Sequence, residues 1–216
     1  MRLVCGVDEA GRGPVIGPLV VAGVLISEDR LPVLRDMGVK DSKLLTPQRR
    51  EELFPRIVRA ALNVHYVQLK PAQIDHVVLH GTRLRRLNLL EARAMAEVID
   101  HLAPDVAFVD ATDVLPDRFG RQIREFLSTN TEVVSEHHAD RNHVVVSAAS
   151  VLAKVRRDAA IARLQKRYGD LGCGYPHDPK TRLFLLEWAR NHRSYPSFVR
   201  KSWKTVRALN GKTETR

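Results

Sequence analysis

Apolar positions fall in short runs over the first two thirds of the chain and settle into helical periodicity after that. Leu3 to Asp8 is one apolar run, and Pro18 to Ile26 is a second, rich in valine. Both predict strands, with a glycine-rich turn between them. Thr46-Pro47 marks a helix start, a capping hydroxyl followed by proline at the first helical position. That helix should run toward Ala61, with Pro55 expected to kink or break it. Val64 to Leu69 alternates as a third strand, and Asn88 to Leu102 has helical spacing with few breakers. Val106 to Asp110 has the pattern of a buried strand that ends on a carboxylate, Pro116 to Leu127 that of a helix, and Glu132 to Glu136 that of a last strand. From Val144 onward the pattern is helical almost to the end. There is no internal repeat or low-complexity segment. Strands mixed with helices, then helices alone, predict an α/β fold: a sheet domain with a helical cap.

Composition narrows the partners. The 216 residues suit one domain, or one with a modest appendage, and 44% hydrophobic residues suffice for a full core. Lys and Arg number 35 against 25 Asp and Glu, a formal net charge of +10, which favours polyanionic partners and nucleic acid first. The basic residues gather late, with Arg156, Arg157, Arg163, Lys166 and Arg167 in one cluster and Arg200, Lys201, Lys204 and Arg207 in another. This accumulation points to a phosphate-contacting surface, against the alternative of solvated helix faces. Cys5 and Cys173 have no zinc-like spacing and read as two reduced thiols. No apolar stretch reaches the length of a membrane span, and Asp8 and Glu9 interrupt any signal-peptide core. A cytoplasmic protein with no membrane partner is expected.

The candidate chemistry begins at Gly6-Val-Asp8-Glu9-Ala-Gly11-Arg12-Gly13-Pro14. In a regular strand Asp8 and Glu9 point to opposite faces, so both serve one site only if the chain leaves strand geometry there. Gly11 and Gly13 permit that, and let backbone N–H groups approach a phosphate, with Arg12 supplying a fork of donors. The alternative is a tight turn carrying two exposed acids. Asp110 ends its strand where sheet-based sites place ligands. Asp140 follows a predicted strand and precedes a helix, where a helix N-cap is the competing role. Converging carboxylates in a basic protein suit Mg²⁺ or Mn²⁺, hard cations that prefer oxygen. His137 and His138 lack the spacing of a zinc site, and the roles of His138 and His143 stay open.

The same residues carry a family resemblance. The block from Gly6 to Pro14, with Gly17-Pro18-Leu-Val-Val-Ala-Gly23 after it, resembles the N-terminal signature of ribonuclease HII. Asp41-Ser42-Lys43 resembles that family's DSK segment. Asp140 followed by Ser147-Ala-Ala-Ser150-Val-Leu-Ala-Lys154-Val-Arg-Arg-Asp158 resembles its Asp and SAAS helix, and Gly174-Tyr175-Pro176-His177-Asp178-Pro179 resembles its GYPSDP block, with His177 where serine is usual. Ser202-Trp203-Lys204-Thr205 resembles archaeal members. The resemblance implies a ribonuclease-H-like mixed sheet flanked by helices, with residues 1–168 as catalytic domain and 169–216 as a helical substrate-binding extension. It implies Asp8, Glu9, Asp110 and Asp140 as catalytic metal ligands, with Gly11, Arg12, Gly13 and Tyr175 reading the RNA–DNA junction. Lys43 is a further candidate for phosphate contact, with a surface lysine as the alternative. The implied activity is two-metal hydrolysis of RNA–DNA hybrids and of duplex DNA with an embedded ribonucleotide, leaving a 5′-phosphate and a 3′-hydroxyl. A junction resolvase of the same fold and a non-catalytic hybrid-binding module are the rival functions. A monomer is expected. The tail from Asn210 to Arg216 lacks the glutamine and paired aromatics of a sliding-clamp peptide, so no clamp contact by that route is expected.

Overall fold

The computed structural model describes residues 1–39, 42–81 and 86–210, the side chains of Lys43 and Asn210 apart. Five strands form one mixed sheet: β1 (Leu3–Ala10), β2 (Leu19–Ser27), β3 (Asn63–Leu69), β4 (Val106–Asp110) and β5 (Glu132–Glu136). Their order is β3-β2-β1-β4-β5. β1 pairs antiparallel with β2 and parallel with β4, and β4 pairs parallel with β5. The helices are α1 (Leu31–Asp36), α2 (Pro47–Ala60), α3 (Pro71–His80), α4 (Arg86–Leu102), α5 (Pro116–Phe126), α6 (Ala139–Asn142), α7 (Val144–Tyr168), α8 (Pro179–Asn191) and α9 (Lys204–Asn210). The ribonuclease-H-like mixed sheet flanked by helices is therefore present. No helix among the described residues is long and apolar enough to cross a membrane.

Packing divides the chain into two compact units. One comprises Met1–Ala10, Val20–Gln68 and Asn88–Arg156; the other comprises Gly11–Leu19, Leu69–Leu87 and the chain from Arg157 onward. Each unit is discontinuous in sequence. Each has its own core. Val4, Val24, Ile26, Leu53, Ile57 and Leu152 are buried together in the first, and Ile16, Ile161, Leu171, Leu185 and Val206 in the second.

Thr46 caps α2 as predicted, its side chain accepting from the Arg49 N–H at 3.2 Å, with Pro47 at the first helical position. Pro55 does not break that helix, which runs on to Ala60. Proline removes the bond to the carbonyl four residues back and crowds it, and that residue, Glu51, is on the exposed side of the helix, where the carbonyl can tilt outward. α1 and α3 are helices the apolar pattern did not predict. Cys5 and Cys173 are both free, and burial pushes the Cys5 thiol up to about 12.

Alternation along β1 and β2 sorts the two faces of the first unit. Gly6 pairs with Val24 and Asp8 with Ala22, so these positions share a face. On that face the start of α7 lies directly on β1, because a Cβ at Gly6 would overlap the Val145 carbonyl. On the other face a Cβ at Gly23 would run into Val98 and Leu102 of α4. Helices therefore cover both sides of the central strands. Gly6→Ala should cost about 1–3 kcal/mol or more by overpacking against helix backbone, which cannot move aside as a side chain can. A denaturant titration of the variant should show a clearly lowered midpoint; an unchanged midpoint would place the helix elsewhere.

Candidate active site

Three elements of the first unit bring acids together. Asp8 lies two residues before the end of β1, Asp110 is the last residue of β4, and Asp140 stands in α6. One carboxylate oxygen from each lies within 4.8 Å of the others. Asp8 and Asp140 are 4% and 2% exposed, so this is not a solvated acidic patch. Burial first, then the charges of Glu9 and Asp110, push Asp8 well above the usual carboxylate range.

Bonds set the direction of the Asp8 and Asp110 carboxylates, and one more holds the backbone of Asp140. The Ser150 hydroxyl and the Glu9 N–H both bond the Asp8 carboxylate, the latter at 2.7 Å. The Ala139 N–H donates to Asp110 Oδ1 at 2.9 Å, tying the end of β4 to α6. Ser147 Oγ donates to the Asp140 carbonyl at 2.6 Å. The helix-cap alternative for Asp140 fails, since His138 occupies the cap with a left-handed backbone (φ 58°) and Asp140 is buried within α6. A cavity of about 380 Å³ is lined by Asp140 together with Arg35, Arg141, Asn142 and Ser147.

The backbone at Glu9 differs from the sequence expectation. The strand does not end at Asp8: Glu9 pairs with Val21 and Ala10 with Val20 in regular antiparallel register. Adjacent strand residues face opposite ways, and Glu9 is not in the trio of converging oxygens, though its charge acts on Asp8. His137 and His138 are exposed and also stand outside the trio. His143 bonds Glu136 through Nε2 at 3.1 Å and stacks on Phe108. Ser150 and Ser42 were not among the predicted site residues. Their hydroxyls are 2.8 Å apart, which links the DSK segment to the oxygen that holds Asp8. Lys43 belongs to a short 3-10 helix, Ser42–Leu44. Its side chain, Asp41 and the tail from residue 211 lie outside the described residues, and with them the Lys43 and clamp-peptide expectations.

The second unit holds the remaining predicted residues. Gly11 has φ of +94°, and a Cβ there would press on the Pro18 carbonyl, so glycine is required on both counts. Tyr175 is half-buried, and a Cβ at Gly13 would stand 3.4 Å from its ring. The Arg157 guanidinium lies 5.3 Å from the centre of that ring and donates to the Cys173 carbonyl at 2.7 Å. Gly174 O accepts from Val15 N–H at 2.8 Å, joining the two loops. Arg157 and Arg200, counted above with the phosphate-contacting residues, are 2% and 0% exposed and cannot serve that purpose. Burial, and after it the Arg157 charge, lowers Arg200 to about 9, so it is still a cation at neutral pH.

The acid trio fits a hard divalent cation. All its donors are carboxylate oxygens, and the mutual repulsion of buried like charges at this spacing is what such a cation relieves. Carboxylates grouped near the carboxyl ends of adjacent strands, in a mixed sheet covered by helices, define a metal-dependent hydrolase of the ribonuclease-H-like class. Residues 5–206 match the family model described as Ribonuclease HII, and the chain belongs to that family; it is a ribonuclease H, an endonuclease. It is 46% identical over 209 residues to the Ribonuclease HII of Thermococcus onnurineus, covering 96% of this chain and 89% of that protein. The ribonuclease H2 from Pyrococcus horikoshii superimposes with a TM-score of 0.91 at 40% identity, over 99% of this chain and 100% of that one. The ribonuclease HII in the PCNA complex from Archaeoglobus fulgidus gives 0.85 at 44% identity, over 95% and 96%.

Asp178 caps α8. Its carboxylate is bonded by the Cys173 thiol, by the Cys173 N–H at 2.5 Å and by the Lys180 N–H at 2.9 Å, which together lower it to about 2. A depressed carboxylate stabilises the fold above its unfolded pKa, and that contribution is lost as pH falls toward 2. Asp178→Asn keeps a good cap while removing the charge. Its deficit in urea midpoint against the parent should be present at about pH 5 and shrink toward about pH 2. A deficit that is the same at both would mean that the charge is not what the loop uses.

Proposed function

We propose that this enzyme cuts on the 5′ side of single ribonucleotides embedded in duplex DNA, as well as in the RNA strand of RNA–DNA hybrids, and leaves a 5′-phosphate and a 3′-hydroxyl. The observation that carries the hydrolytic part is the convergence of Asp8, Asp110 and Asp140 within 4.8 Å in a buried setting. These three would hold Mg²⁺ or Mn²⁺, with Glu9 next along the strand as a fourth acid. Divalent cations in such a site lower the pKa of water and offset charge on a phosphodiester. The chain's own residues do the positioning: Ser150 fixes the Asp8 carboxylate, the Ala139 amide fixes Asp110, and Ser147 fixes the peptide of Asp140.

Choice of a ribonucleotide requires something that senses the 2′-hydroxyl. Gly11-Arg12-Gly13 and Tyr175 are suited to it. Close backbone and a rigid ring can test a sugar for one extra oxygen, where a long flexible side chain cannot. The ring is restrained by Gly13 on one side and the Arg157 cation on another.

The acids should act as one unit, so that Asp110→Asn lowers turnover by orders of magnitude in Mg²⁺ while the protein stays folded. Chelation of divalent ions should do the same to the parent. The assay is cleavage of a duplex with one ribonucleotide, run beside an all-DNA branched junction. Wild-type turnover by Asp110→Asn removes it from the site; cleavage of the junction instead would favour a resolvase, and binding without turnover a hybrid-binding module.

Tyr175→Ala should reduce cleavage at a single embedded ribonucleotide far more than it weakens duplex binding, by on the order of a hundredfold if the phosphodiester is displaced by about 1 Å. Tyr175→Phe separates the causes. Retained activity means that ring contact dominates, and a loss like that of alanine means that the phenol oxygen does. Small, equal losses for alanine on the embedded ribonucleotide and on a continuous hybrid would make Tyr175 a packing residue.

A further inference from the structure

Two side chains from residues 200–203 hold every carbonyl of Gly11-Arg12-Gly13. Arg200 donates to the Gly11 carbonyl at 2.5 Å and to the Arg12 carbonyl at 2.8 Å through its two terminal nitrogens. Its Nε donates to the Gly17 carbonyl at 3.1 Å. Trp203 Nε1 donates to the Gly13 carbonyl at 3.1 Å. The two donors are themselves linked, the Arg200 guanidinium lying 4.9 Å from the centre of the Trp203 ring.

This segment is anchored in turn. Asp75 of α3 accepts from the Lys201 N–H at 2.8 Å, the Ser202 N–H at 2.9 Å and the Ser202 hydroxyl at 2.6 Å. The Arg200 N–H donates to the Val15 carbonyl at 2.9 Å, and Gly17 N–H to the Phe198 carbonyl at 2.8 Å. The donors therefore sit on a turn whose own place is fixed.

A trans peptide is planar, so each N–H points opposite to the carbonyl before it. Bonding the Gly11 and Arg12 carbonyls from the fully buried Arg200 side turns the Arg12 and Gly13 amides the other way. The Gly13 carbonyl precedes Pro14, which has no N–H, so Trp203 fixes the end of the loop and not a third donor. Only arginine can span this. Its planar fork places separate donors on separate carbonyls, whereas lysine offers one nitrogen.

We propose that Arg200 and Trp203 are positioning residues for ribonucleotide recognition: by holding the three carbonyls they aim the Arg12 and Gly13 amides at the sugar–phosphate backbone of the substrate. This rests on the assignment of Gly11-Arg12-Gly13 to nucleic-acid contact made above. It gives Arg200 a role that its charge does not advertise, since the cation never reaches a phosphate itself.

Trp203→Phe is the decisive variant, because it keeps the ring over Arg200 and deletes only the N–H. Its kcat/KM on a duplex with one ribonucleotide should fall about three- to tenfold, the loss one hydrogen bond gives. Affinity for plain duplex DNA should not change, and the amide resonances of Arg12 and Gly13 should shift. Arg200→Lys should lose more of the same activity despite keeping the charge; should it fail to fold, Trp203→Phe decides alone. Gly13→Ala tests the underlying assignment. The added methyl stands in ordinary contact with Tyr175, so the fold tolerates it, but it crowds the backbone that the substrate approaches. Loss for Gly13→Ala with wild-type kcat/KM for Trp203→Phe overturns the positioning role and leaves the loop assignment standing. Wild-type behaviour of both overturns the assignment, and the positioning role with it.

Discussion

At Gly6 the backbone of β1 meets the first turn of α7 with no side chain between them. The surroundings of Asp8 follow from that contact. Two residues along a strand advance about 6.6–6.8 Å, and four to five residues along a helix advance about 6–7.5 Å. A helix seated at Val145 and Val146 over Gly6 therefore brings Ser150 level with Asp8, and Ser150 bonds that carboxylate. The same seating leaves α6 and Asp140 just before the helix, with Ser147 reaching back to the Asp140 carbonyl. Ser42 meets Ser150 from the far side. One missing side chain thus brings Ser150, and with it α6 and Asp140, alongside Asp8.

The acids of the first unit show why the trio differs from a structural cluster. Asp113 is also buried, and burial alone would raise its pKa, but hydrogen bonds from Arg118, the Leu115 N–H and Asn88 outweigh that and hold it well below the usual range. Its cation comes from the chain. Asp8 is raised by burial first, and the neighbouring charges, Glu9 and Asp110, are of its own sign and add to that rise. The partners differ in kind: Asp113 is surrounded by donors from the chain, whereas Asp8 is surrounded by further carboxylates, a setting suited to an external cation.

The sequence disclosed the elements that rest on local pattern and missed what depends on burial or distance along the chain. All five strands, the Thr46 cap and the carboxylate at the end of β4 come straight from spacing. α3 had a usable signal in Pro71 at its first position, whereas α1, with six residues, is too short to show a period. The Ser42–Ser150 contact joins residues 108 apart, and no local pattern reports it. A break in the strand at Glu9 was expected, but pairing with β2 continues through Ala10, and the Glu9 charge acts on Asp8 all the same.

The arginines carry the last part of this lesson. Arg156, Arg157 and Arg200 look alike in a list of basic residues. Arg156 lies over the Tyr66 ring at 4.5 Å, Arg157 is buried against Tyr175, and Arg200 is buried among backbone carbonyls. Their charge still adds to the long-range field that draws a polyanion toward the protein, because field does not require contact. Contact does require exposure, which Arg163, Lys166, Lys201 and Lys204 have. Burial, with the Arg157 charge beside it, lowers the Arg200 pKa, so the carbonyl dipoles do not fully replace water around the cation. A cost of that kind persists in a fold when the geometry it secures is useful. Here that geometry is the orientation of Gly11-Arg12-Gly13, which a smaller or neutral side chain would leave to fluctuate.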